Sequence, residues 1–409
     1  MLTWPKLGAD DSSAAARRRS LAVKSPAIVG AGPRVDSVDL LRGLVMALMA
    51  LDHTRDFFTA SGWNPRDVTD PALFLTRWIT HFCAPTFMLL AGLAAFLYGA
   101  RGRSVAEISR FLVTRGFLLI LLEFTLVRVG WTFSFDFDQL TAGVIWAIGV
   151  SMITLAALVY LPRTAIAAVA LGLIVVHNLL DGIRAEDLGL ASWIWHFLHQ
   201  PGLMQLSNGA TVFVLYPIIP WIGVMAAGYA LGPVMELDAE SRHRWLVRLG
   251  GAITAAFVLL RATNLYGDPA PWTMQETWFA TVLSFLNCEK YPPSLLFLMM
   301  TLGPAIMLLD AFENVRGRLA RWLIIFGRVP LIFYITHIYF IHGLALAFAL
   351  VTYPYLGPSV SVSPNETAVG LGLPGVYVVW LFALILLYPL CRWFAQLKQS
   401  RTEPWWSYL

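Results

Sequence analysis

The sequence predicts an all-α, polytopic membrane protein, a bundle of about ten transmembrane helices with both termini cytoplasmic. Three observations predict it: an apolar composition, ten apolar stretches of spanning length, and positive charge gathered on alternate connecting segments. The 409 residues are 58% hydrophobic and only 13% charged, with a mean hydropathy of +0.66, whereas a soluble domain carries about 25% charged residues. That balance argues against a water-soluble fold. A net charge of +4 and a pI near 9.0 raise nucleic acid as a ligand. The Lys and Arg residues cluster at helix ends rather than on one basic face, however, so the charge reads as topology and no nucleic-acid partner is expected.

A hydrocarbon core roughly 30 Å thick takes about 20 mostly apolar residues per helix. Such stretches lie near 38–58, 74–98, 110–131, 140–161, 164–181, 211–234, 245–264, 291–312, 321–348 and 372–394, the fifth being the shortest. Residues 1–36 hold Arg17, Arg18, Arg19, Lys24 and Arg34 without the apolar region or cleavage site of a signal peptide, and read as a flexible basic cytoplasmic tail. Residues 37–398 form one transmembrane domain and 399–409 a cytoplasmic C-terminal tail. Segments 182–209 and 265–290 are long enough for structured external loops, the second with Trp272, Trp278 and Phe279 suited to the interface.

Cytoplasmic loops keep the positive excess. The N-terminal tail, the loops at 99–109, 162–163, 235–244 and 313–320, the C-terminus and the adjoining turns hold 19 of the 29 Lys and Arg residues. The opposite loops hold three, Arg66, Arg184 and Lys290. Cys83, Cys288 and Cys391 are odd in number and widely spaced, with no disulfide framework.

Charged side chains at membrane depth are costly, face a bundle interior or wet cavity, and are functional candidates by default. Here they fall into two layers. The cytoplasmic layer holds Arg42, Arg115 and Arg328, each one or two turns inside its span, with Asp39 beside Arg42. Guanidinium groups suit a phosphate-bearing ligand, although snorkelling towards headgroups also accounts for Arg115 and Arg328. The external layer holds His53, His81, His177, His337 and His342. Histidine suits proton transfer near neutral pH, and His53 stands out because Asp52 and Asp56 lie close enough in sequence to orient its ring. A lone intramembrane histidine is more often a packing residue, which places His177 and His337 behind it. No HExxH or other ligand spacing appears, so no metal is expected. Glu123 lies mid-membrane, too far from Arg115 for a direct bond, and calls for a partner on another helix.

Arg42 and His53 are eleven residues apart, which on one helix places them about 20° apart on a single face and roughly 16 Å apart along the axis. A cation near the cytoplasm and a base near the outside thus share one face. That geometry suits a donor arriving from inside and an acceptor waiting outside.

The stretch 35–58, from Val35-Asp36-Ser37 through Leu51-Asp52-His53-Thr54-Arg55-Asp56, resembles the opening helix of the transmembrane acyltransferases. It is similar to bacterial relatives of the heparan-α-glucosaminide N-acetyltransferase catalytic domain and, more distantly, to the acyltransferase-3 family, whose Arg-(ten residues)-His pattern Arg42 and His53 match. Further resemblance lies in Trp78-Ile79-Thr80-His81-Phe82, Tyr216-Pro217-Ile218-Ile219-Pro220-Trp221, Lys290-Tyr291-Pro292-Pro293-Ser294 and Phe326-Gly327-Arg328-Val329-Pro330, followed by His337. The resemblance implies an acetyl-CoA-dependent acyltransferase of the bacterial cell membrane, acting on a hydroxyl or amine of an extracytoplasmic saccharide. Acyl-CoA is then a co-substrate and no cofactor is permanently bound. Arg42, Arg115 and Arg328 would hold the CoA phosphates, and His53, aided by Asp52 and Asp56, or His81 would be the base. His177, His337 and the Trp63-Asn64 pair would meet the acceptor. Ala60 stands where the lysosomal branch has its catalytic histidine, and His53 aligns with an asparagine of that branch. The alternative is a proton-coupled transporter of an anionic small molecule, whose expected internal repeat is not found. A homodimer is left open.

Overall fold

The computed structural model describes residues 36–59, 63–352 and 370–401. The basic tail expected over 1–36 lies, apart from Asp36, outside them, as do residues 402–409 of the expected C-terminal tail.

Helix α1 (Asp36–Phe58) is apolar enough to be buried along most of its length yet carries Asp39, Arg42, Asp52, Arg55 and Asp56. The second apolar stretch forms two helices, α2 (Pro71–Thr80) and α3 (Cys83–Gly99), with a break at His81–Phe82; Asp70 caps α2 by accepting from the Leu73 amide at 3.0 Å. Helix α4 (Val105–Leu122) starts from a capping box formed by Ser104 and Glu107. It continues through a π-helical turn, Glu123–Val127, into α5 (Arg128–Thr132), which ends at Phe133 in the left-handed conformation.

After these come β1 (Gln139–Ala142), α6 (Val144–Leu158), α7 (Arg163–Val176), α8 (Ser192–Leu198), β2 (Gly202–Gln205), β3 (Thr211–Val214) and α9 (Ile219–Leu231). The chain closes with α10 (Ala239–Thr263), α11 (Trp278–Leu286), α12 (Leu295–Ala311), α13 (Arg318–Arg328), α14 (Pro330–Thr352) and α15 (Leu373–Ser400). Helix α1 packs against α2, α3, α12, α13, α14 and α15, while α4 pairs with α6, α9 with α3 and α7, and α10 with α12.

The protein is mostly helical, and three expectations need correction. The stretches 140–161 and 211–234 open as strands, which join β2 in a sheet of order β1-β3-β2 with β1 and β3 parallel. Thr211, Val212, Phe213 and Val214 are β-branched or aromatic and suit a strand. The stretch 321–348 is two helices rather than one. Val329 is non-helical (φ −129°, ψ 49°) because the ring of Pro330 disfavours helical geometry in the residue before it. Arg328 therefore ends α13, just before the apolar helix that starts at Pro330. Among the described residues, five helices are long and apolar enough to cross a membrane, Pro71–Gly99 taken together, Arg163–Leu180, Ala239–Thr263, Pro330–Thr352 and Leu373–Ser400, while α6 and α12 are apolar but shorter.

Helices α1 and α13 meet at backbone distance. A Cβ on Gly43 would collide with the Leu323 carbonyl, and one on Gly327 with the Asp39 carbonyl. Small residues allow such approach where van der Waals packing must hold helices together. The same contact joins α3 to α9, where Gly92 faces Met225 and Gly228 faces Leu89. Gly43→Ala is expected to destabilise by about 1–3 kcal/mol, seen as a lower unfolding temperature in detergent.

Candidate active site

At the start of α1, Arg42 Nη1 donates to Asp39 Oδ1 at 3.1 Å and to the Gly327 carbonyl at 3.0 Å. Arg328 approaches both Asp36 (3.4 Å) and Asp39 (3.6 Å). Arg115 on α4 lies within electrostatic range of Arg42, its guanidinium 5.9 Å from the Phe111 ring centre. Arg42 and Arg328, expected from separate stretches, thus share Asp39 across the close crossing of α1 and α13, with Arg115 of α4 in electrostatic range of Arg42.

At the other end of α1, His53 Nδ1 and His337 Nε2 of α14 are 2.7 Å apart. The two rings are nearly coplanar, with an interplanar angle of 15° and centroids 4.9 Å apart, so the hydrogen bond runs edge to edge in the shared plane. His337 Nδ1 lies 2.8 Å from the Phe333 carbonyl. A carbonyl only accepts, so Nδ1 of His337 carries the proton, and in the neutral pair its Nε2 must accept from Nδ1–H of His53. This chain of bonds leaves the lone pair of His53 on Nε2. Trp131 packs edge-on against His53 at 4.7 Å, and Tyr334 lies 6.2 Å away.

Asp52 faces a different set of partners. Its Oδ1 accepts from Thr80 Oγ1 at 2.8 Å and pairs with Arg55 Nη2 at 2.8 Å, while Lys290 Nζ stands 3.9 Å from Oδ2. Asp56 is bound to the same Arg55 nitrogen at 2.8 Å. Both carboxylates are committed to Arg55, and the orientation of His53 falls to His337.

The other expected residues are dispersed. His81 is buried at the α2–α3 break with its ring 5.2 Å from Phe297, and neither ring nitrogen has a hydrogen-bond partner among the described residues. His177 turns both ring nitrogens to backbone carbonyls, those of Ile174 (2.9 Å) and Pro293 (2.9 Å), which makes it a clasp between α7 and the segment before α12. His342 binds the Gly130 carbonyl at 2.9 Å and stacks on Phe133. Trp63 and Asn64 are exposed in the loop before α2, where Asn64 Oδ1 accepts from the Arg66 amide. Glu123 accepts from the Trp146 amide at 2.8 Å, so its partner on another helix is the N-terminus of α6.

Three residues of the site were not singled out from sequence. Lys290 counts there only as an external-loop charge, although its Lys-Tyr-Pro-Pro-Ser run already marks it. It is held in place by Arg261, a fully buried side chain that donates to the carbonyls of Phe285, Ala270, Ser284 and Asn287. In the same loop, burial pushes the Asp268 carboxyl up, opposed by hydrogen bonds from Ser294 and the Glu289 and Ala270 amides. Arg55 and Arg77 complete the set; both are buried beside Asp52.

No curated protein matches the chain. A protein-family model described as heparan-alpha-glucosaminide N-acetyltransferase, catalytic, matches residues 34–265, more than half of the sequence and inclusive of α1 from Arg42 to His53. The chain belongs to the heparan-alpha-glucosaminide N-acetyltransferase catalytic-domain family, and with its apolar helices it is a membrane protein of acetyltransferase type.

Proposed function

We propose that the protein transfers an acyl group, in the first instance acetyl, from cytoplasmic acyl-CoA to a hydroxyl or amine of a saccharide on the far side of the membrane. The reading takes the chain as ten spans with both termini cytoplasmic, in a bacterial cell membrane. The observation that carries it is the pairing of two differently built ends on α1: an arginine cluster around Arg42 and an imidazole pair around His53. The cluster would receive CoA phosphates, with Arg42 exchanging the Gly327 carbonyl for a phosphate oxygen. The pantetheine arm then lies along the face of α1 that joins Arg42 to His53.

His53 Nε2 is the nitrogen that acts. It either takes the proton of the acceptor as that group attacks the thioester carbonyl, or attacks the carbonyl itself and carries the acyl group to the acceptor. In both routes the C–S bond breaks and CoA leaves as the thiol. The neighbouring His337 fixes the tautomer and, being hydrogen-bonded to Nδ1–H, supports positive charge on His53 as it develops. The transporter alternative is not favoured, since the family match points to acyl transfer. Acetyl-CoA is expected to raise the unfolding temperature of the detergent-purified protein and to release CoA when saccharides are added; absence of both effects would reject the transferase reading.

A further inference from the structure

Two faces of α10 differ at its start. Arg242 is bound by Glu313, and His243 Nδ1 lies 2.9 Å from Asp310 Oδ2 at the end of α12. Arg244 finds partners on its own helix alone, Glu240 at 3.0 Å and Ser241 at 3.3 Å. Glu240 is 79% exposed, and so open an ion pair contributes little. Arg248, one turn further on, is exposed and makes no hydrogen bond or ion pair among the described residues. Ser241, Arg244, Trp245, Arg248 and Leu249 recur at three- and four-residue spacing and so share one face, where they line one groove. Trp245 is 58% exposed in it. The opposite face, with Leu246, Gly250 and Phe257, is buried, and a Cβ on Gly250 would collide with the Gly303 carbonyl of α12. The groove therefore looks away from the protein.

Depth decides what the groove meets. Helix α10 is long and apolar enough to cross a membrane, and the uncharged run 249–260 that follows Arg248 is about 18 Å long as a helix, short of a hydrocarbon core of roughly 30 Å. Arg248 thus starts below the headgroups and must carry its guanidinium back along the helix to reach them, which brings it towards Arg244. Like charges at four-residue spacing repel, and an anion between them removes the repulsion. Two guanidinium groups converging at headgroup level match a phosphate that offers oxygens to both, and an exposed tryptophan is the residue type that rests at that level. We infer that this face of α10 binds one anionic phospholipid, its phosphate between Arg244 and Arg248, its glycerol region against Trp245 and an acyl chain along Leu249. Arg244 exchanges Glu240 for the phosphate. The site is separate from the cluster at Arg42, because α10 packs mainly on α12 and the turn Gly232–Glu236, and it requires nothing of the acyl-transfer reading.

Native mass spectrometry of the full-length protein, purified in neutral detergent and offered equal amounts of phosphatidylglycerol and phosphatidylcholine, tests this. The wild type is expected to retain phosphatidylglycerol about 10- to 30-fold more than phosphatidylcholine. The Arg244→Gln, Arg248→Gln double variant should hold the two lipids alike, with an unfolding temperature unchanged when no lipid is added. Arg316→Gln, at an exposed arginine whose partners are the Glu313 and Val315 carbonyls, should keep the preference whole. Equal retention in the wild type, or a preference that survives the double change, would overturn the site; the wild-type comparison needs no variant to fold. Loss of the preference in Arg316→Gln as well would overturn it too, since net surface charge would then suffice. A soluble anion is separated in the same measurement: if inorganic phosphate displaces phosphatidylglycerol from the wild type and stabilises it through Arg248, the groove takes a free phosphate and the lipid assignment falls.

Discussion

His53→Ala is expected to lower acetyl transfer by about 10²- to 10⁴-fold, the usual loss when a positioned acid–base group is removed, while acetyl-CoA still stabilises the protein against heat. The separation of the two effects follows from the two ends of α1. Arg42 and its cluster are anchored to Asp39 and the Gly327 carbonyl and do not depend on the imidazole. His337→Ala should cost less, roughly 10- to 100-fold, the range seen when an orienting partner is lost. It leaves His53 in place without the acceptor that holds its proton on Nδ1. Equal loss of CoA binding and transfer in His53→Ala would show a folding defect in place of a chemical one. Full activity with normal CoA binding would remove His53 from the reaction.

Arg261→Met should produce the largest loss of stability of any single change, about 3–5 kcal/mol, as expected when one member of a buried polar assembly is deleted. Arg261 reaches four backbone carbonyls and lies 3.6 Å from Asp268, with both side chains almost wholly buried. Methionine fills the space but donates nothing, so four carbonyls lose their donor and the Asp268 carboxylate its neighbouring charge at once. The segment 265–294 is then expected to become the first site of proteolytic cleavage, and transfer should fall because this segment presents Lys290 to Asp52. Limited proteolysis together with the unfolding temperature checks both points. An unchanged cleavage pattern would mean that α11 and α12 hold the loop without the arginine.

Hydropathy made the helical stretches legible, and depth within them separated arginines from histidines. What it did not convey was rotation of one helix against another. That His337 meets His53 follows from the seat of α13 and α14 on α1, set by Gly43 and Gly327, residues whose message is only the absence of a side chain. The strands went unread because a four-residue apolar run such as Thr211–Val214 looks like the beginning of a span. The end of α13 at Arg328 is illegible for the opposite reason: Val329-Pro330 interrupts an apolar run that hydropathy alone continues. Proximity in sequence points Asp52 and Asp56 towards His53, but in the fold Arg55 engages both. Lys290 carries a signal in its Lys-Tyr-Pro-Pro-Ser run, whereas charge counting treats all loop residues alike.

The elbow at Val329-Pro330 has a mechanical meaning. Arg42 is fastened to the last turn of α13 through the Gly327 carbonyl, and His53 to α14 through His337, so two residues ten positions apart on one bent element touch both ends of the proposed reaction path. On the proposed reading, a phosphate that took Arg42 would free α13 of one of its tethers at the elbow. The helix that carries His337 starts at the next turn, so the contacts of Arg42 and of His53 lie on either side of a single elbow. On the proposed reading, the joint would set the spacing between the donor cluster and the distant acid–base group, as the fixed corner of a bracket sets its two arms.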